Sequence, residues 1–168
     1  MPISTINYAG TTGVITSGTA VASTSGTSID FTGIPSWVKR VTVMFNGVST
    51  NGGSNYQVQI GAGSVVTTGY QSVCVNITST PVVSTQTSGF LISNNISASD
   101  TYIGHFVITN VSGNIWVGSS IISRYSTGTV QSGSGNITLG GTLDRVRITT
   151  VNGTDTFDAG SINIIYEG

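Results

Sequence analysis

VKRVTVMFNGVSTNGGSNYQVQI (Val38–Ile60) decides the fold class. In its first half Val41, Val43 and Phe45 alternate with Arg40, Thr42 and Met44, so each set faces one side of an extended chain. That period of two belongs to a half-buried strand, because successive side chains of a pleated backbone point to opposite faces. Asn46-Gly47 and Asn51-Gly52-Gly53 follow, and both residue types tolerate the positive φ that tight turns need. Tyr56-Gln57-Val58-Gln59-Ile60 then resumes the alternation as a second strand.

The same grammar extends in both directions. Val73, Val75 and Ile77 share one face, with Cys74, Asn76 and Thr78 opposite. Phe90–Ile92, Ile103–Thr109, Ile115–Val117 and Ile137–Leu139 read as further short strands. Val146 and Ile148 oppose Arg145 and Arg147, Asn152-Gly153 is a hairpin signal, and Ile162, Ile164 and Tyr166 form a last strand. About ten short strands separated by Gly, Asn and Ser turns predict an all-β fold, an antiparallel β-sandwich with jelly-roll-like character. Residues 29–168 are expected to form this single domain. Residues 1–28 are low in complexity and are expected to be an extended N-terminal arm or first strand, with a strand within Val14–Val21. An arm docking on a neighbour and a plain edge strand both fit that composition.

Charged residues make up 7% of the 168-residue chain, against roughly 25% in an average soluble domain. Ser, Thr, Asn and Gln carry the polarity instead, and a net charge of −1 gives little repulsion between copies. Such a surface suits coverage by identical partners, although a Ser/Thr-rich exterior would have the same composition. The five basic residues (Lys39, Arg40, Arg124, Arg145 and Arg147) make no extended stripe, so no nucleic-acid partner is expected. Cys74 is the single cysteine, which rules out an internal disulfide and suggests a quiet thiol on a strand. Neither a secretory leader nor an apolar stretch long enough for a bilayer is visible, so no membrane insertion is expected.

Chemistry is thin. The one histidine, His105, sits between Gly104 and Phe106 on an expected strand, and no Gly-x-Ser-x-Gly elbow occurs. Asp30, Asp100, Asp144, Asp155, Asp158 and Glu167 are the possible members of a glycan-cleaving acid pair. Asn152, Asp155 and Asp158 in VNGTDTFDAG loosely suggest oxygen ligands for a hard cation, but lack the alternation and closing Glu of a calcium loop. The expectation is therefore a protein that is not an enzyme and carries no cofactor and no metal. Tyr70, Trp116 and Tyr125, the last beside Arg124, lie near Gly/Ser-rich segments and are the candidate residues for binding a glycan or a partner. Packing in the core is the alternative for Tyr70 and Trp116, and Trp37 also looks like a packing residue.

Three blocks go beyond general β character: IDFTGIPSWVKRVTVMFNGVSTNGGSN (Ile29–Asn55), IGAGSVVTTGY (Ile60–Tyr70) and LDRVRITTVNGTDTFDAGSINIIYEG (Leu143–Gly168). Together they resemble a tailed-bacteriophage virion module, the C-terminal domain of phage tail fibre or tail proteins. The stretch from about Gln71 to Thr142 matches only weakly, as a region of variable loops would. The resemblance implies a virion surface protein, made in the bacterial host cytoplasm, that forms a homo-oligomer, with a trimer expected by analogy. It implies contact with other virion proteins and, for a tail-fibre or tail-tip component, with host surface glycan. A module starting almost at Met1 suits a capsid decoration (cement) protein as the alternative. A glycan-degrading tailspike-type enzyme is the third.

Overall fold

The computed structural model describes residues 13–94 and 96–168. It is an antiparallel β-sandwich, with 14 strands among the described residues and one turn of 3₁₀ helix at Tyr125–Thr127. The larger sheet contains β1 (Ile15–Ser17), β2 (Val21–Ala22), β4 (Arg40–Thr50), β7 (Gln71–Ile77), β8 (Val82–Gln86), β10 (Tyr102–Ser112), β11 (Ile115–Arg124), β12 (Thr129–Thr138) and β14 (Phe157–Glu167). Its order is β1-β14-β4-β10-β11-β12-β7-β8, with β2 also on β14. The smaller sheet contains β3 (Ser28–Thr32), β5 (Tyr56–Ala62), β6 (Ser64–Val65), β9 (Phe90–Leu91) and β13 (Arg145–Thr150), ordered β3-β13-β5-β6 with β9 on β5. The chain passes repeatedly between the sheets in jelly-roll-like fashion, while β10, β11 and β12 run as a meander within one.

The expected strands exist, but most are longer than the sequence suggests, and β3, β6 and β8 were not foreseen. The N-terminal segment from Ile15 to Ala22 forms two short edge strands on β14 of the same chain. The part of the expected arm before Gly13 lies outside the described residues. In β4, Val41, Val43 and Phe45 face inward as the alternation predicts. They meet Val58, Ile60, Val146 and Ile148 from the small sheet in one continuous apolar layer.

β7 reverses the expectation. Ser72, Cys74 and Asn76 are buried, while Val73 and Ile77 are 39% and 52% exposed. The cause lies in what covers this part of the sheet. Gly133 and Gly135 on β12 have no side chain, so the 90–94 segment lies close against them. A Cβ at Gly133 would stand 2.5 Å from Leu91 O, and one at Gly135 3.1 Å from the Phe90 ring. The covering segment is largely irregular, so inward polar groups supply the hydrogen bonds its backbone requires. Leu91 N donates to Ser72 Oγ at 2.8 Å and Asn94 N to Gln131 Oε1 at 2.8 Å. Gln131 Nε2 donates back to Asn94 O at 3.1 Å, and Asn94 Nδ2 reaches Cys74 O and Val82 O. Ser72 and Gln131 face inward here because they hold a strap, whereas the buried Asn76 amide has no hydrogen-bond partner among the described residues.

Burial pushes the Tyr70 phenol up to about 12 and the Cys74 thiol up to about 12, and raises Tyr56 and Tyr102 further. The native state keeps these protons, whereas the unfolded chain releases them from pH 9.0 for the thiol and 10.0 for the phenols. Where the unfolded state binds fewer protons, stability falls as pH rises. Urea midpoints are therefore expected to be level from neutral pH to about pH 9 and to drop steeply by about pH 11. An undiminished midpoint at that pH would contradict this packing of the tyrosines.

Candidate functional site

The sequence candidates separate. Tyr70 is 1% exposed and Trp116 3%, so both rings are core residues, the packing alternative of the two readings, and neither is a loop aromatic open to a ligand. Tyr70 packs edge-on to Phe90 at 5.1 Å, and its hydroxyl accepts from Ile60 N at 2.8 Å. It thereby pins the 66–70 loop to β5. Trp116 alternates inward on β11 and joins Ile137 across the β11–β12 ladder.

Arg124 and Tyr125 do come together, at the turn between β11 and β12. Arg124 ends β11 with its guanidinium 3.2 Å from Asp100 Oδ2, in an ion pair whose side chains are 10% and 3% exposed. Asp100 also accepts from Ser97 N at 2.7 Å and Ser126 Oγ at 2.8 Å. Arg124 Nε donates to Thr127 Oγ1 at 2.7 Å. Gly128, at φ +66°, closes the 3₁₀ turn. The arginine thus holds a turn, and the turn holds Tyr125 out at 77% exposure. Sequence reading named Asp100 only as one of six acids, since a partner 24 positions away leaves no local signal.

This turn shares one end of the sandwich with the loops 51–55, 97–101 and 151–156. Tyr125 N donates to Thr101 O, Tyr102 pairs with Val48, and Asn51 N reaches Thr156 O. Asp155 accepts from Ser54 N at 2.9 Å and Asn152 Nδ2 at 2.6 Å, and Asp158 from Ser49 Oγ. The segment suspected of cation binding is thus a hydrogen-bonded turn, and no trio of metal-type side chains gathers among the described residues. At the opposite end Val14 N donates to Gly168 O, beside Lys39 and Arg40.

The other acids are engaged as well. Asp30 makes a two-pronged pair with Arg147, Asp144 pairs with Arg145, and Glu167 with Arg40. All six carboxylates therefore make structural bonds, and each of the four arginines is in an ion pair.

The second feature is the outer face of the large sheet. In register across it run Thr42, Val107, Ser119, Ser134, Val73 and Thr85, and beside them Met44, His105, Ile121, Ser132, Val75 and Val83. A further row carries Ile103, Ser123, Val130 and Ile77. These three rows contain no Asp, Glu, Lys or Arg. Ile121 is 50% exposed and Val83 63%. Ser119, Ser132 and Ser134 form a hollow of about 300 Å³ beside Val73 and Val75. It meets a second hollow of about 560 Å³ between Val73, Thr85, Gln86 and Asn136. Comparison with protein families, curated proteins and solved structures gave no match.

Proposed function

We propose that this chain is a non-enzymatic surface protein of a tailed-phage virion. In this reading it is a tail-fibre or tail-tip component that assembles as a homotrimer and meets host-surface glycan. The observation that carries the non-catalytic part is the engagement of all six carboxylates in structural bonds. A glycan-cleaving acid must change protonation in each cycle, and the four clamped by a guanidinium are poorly suited to that, while Asp155 and Asp158 are tied to Ser54, Asn152 and Ser49. The resemblance of the 29–55, 60–70 and 143–168 blocks supports the virion setting.

The Tyr125 end of the sandwich is the binding end in this proposal. An aromatic ring on a stiff turn offers a sugar an apolar face at little entropic cost. Tyr125→Ala is expected to weaken binding of the purified protein to host cells about tenfold, in the range of an aromatic hot spot. The unfolding midpoint should hold, because the side chain is largely exposed. Unchanged binding, or no binding by the parent protein, would overturn this assignment. The broad uncharged outer face favours a second reading, capsid decoration, in which lateral contacts are the function and the Tyr125 end has no receptor.

A further inference from the structure

We propose that the outer face of the large sheet, centred on Ile121, Val73, Val75 and the Ser119–Ser132–Ser134 hollow, is covered by a second copy of this chain. The inference rests on the homo-oligomer part of the reading above and assigns the surface that makes it.

Three observations point to a copy of the same chain. The first is area. From β4 to β8 the face spans six strands, and at roughly 4.8 Å per strand and 3.3 Å per residue its three rows cover roughly 500 Å², so two copies together bury roughly the 1,000 Å² that a biological interface needs. The second is shape. Val73 and Val75 on β7 form a ridge, and Ser134 and Ser132, their register partners on neighbouring β12, line a trough beside it. A ridge beside a trough lets the ridge of one copy enter the trough of a second, which serves a two-fold pair and a closed ring alike. The third is chemistry. The three rows carry no acidic or basic side chain other than His105, so two copies meeting there desolvate no Asp, Glu, Lys or Arg. A partner chosen by charge would find nothing to read. Side chains meeting across sheets about 10 Å apart would close the hollow as they do inside a sandwich.

The test is the mass of the intact chain in solution, by light scattering and sedimentation, for the parent protein, Ile121→Asp and Ser134→Arg. Both positions are exposed, so circular dichroism and the denaturation profile should show a folded chain in each variant. The parent is expected to run as an oligomer and both variants as folded monomers, with at least a tenfold rise in dissociation constant. An oligomer whose mass survives both substitutions overturns this face while leaving the homo-oligomer standing. A parent monomer at high concentration overturns both. If Ile121→Asp fails to fold, Ser134→Arg decides alone, since its trough lies outside the core.

Discussion

Asp100→Ala is expected to lower the stability of the fold by about 3–5 kcal/mol, the cost of leaving one member of a buried ion pair without its partner. The substitution removes a carboxylate that is 3% exposed and strands the Arg124 guanidinium where water does not reach freely. It also frees Ser97 N and Ser126 Oγ, both of which point at the lost oxygens. Exposed pairs such as Arg147–Asp30 and Arg40–Glu167 provide the contrast, since solvent-screened bridges are worth about 0–1 kcal/mol. Asp30→Ala should therefore move a urea midpoint far less than Asp100→Ala. Equal effects would show that the Arg124–Asp100 pair is not the staple of the Tyr125 turn. Because that turn displays the proposed binding aromatic, Asp100→Ala should also expose 125–128 to proteolysis before the sandwich unfolds.

Phe106→Ala is expected to cost about 3–5 kcal/mol, as removal of a buried aromatic does when neighbours cannot collapse into the space. Phe106 is 1% exposed and lies 5.2 Å from Phe90, joining the large sheet to the strap over it. Its ring occupies the place where a side chain on Gly118 would stand, with a Cβ there 2.5 Å from Phe106 Cζ. Gly118→Ala alone should thus overpack the site and cost about 1–3 kcal/mol. In the Phe106→Ala background the same methyl enters vacated space, so the double variant should be no less stable than Phe106→Ala alone. A double-mutant cycle by chemical denaturation measures this coupling. Strict additivity would mean that the ring does not sit over Gly118.

These two sites show what the sequence discloses and what it hides. The strand alternation of Val41–Phe45 and Tyr56–Ile60 is local, and the structure places both strands in the sandwich as expected. Direction is less legible than period. Val73, Val75 and Ile77 look like the core side of β7, yet Ser72, Cys74 and Asn76 face inward. The deciding factor is remote: glycines on β12 admit the 90–94 segment, whose backbone needs polar partners. Tyr70 and Trp116 could be read from composition as either ligand platforms or core, and only tertiary packing chooses the core. Arg124 and Tyr125 were legible as neighbours, but the carboxylate that fixes them was not. The outer face could not be seen at all in the sequence, because it is assembled from two or three residues of each of six strands.

The proposed place of this chain on the virion surface is tested by its copy number in purified phage particles. Quantitative mass spectrometry against the major capsid protein is expected to give about three to a few dozen copies per particle, in multiples set by a symmetric tail assembly. Hundreds of copies would move the protein to the capsid as a decoration subunit and retire the host-binding role of Tyr125. Its absence from particles would contradict the account.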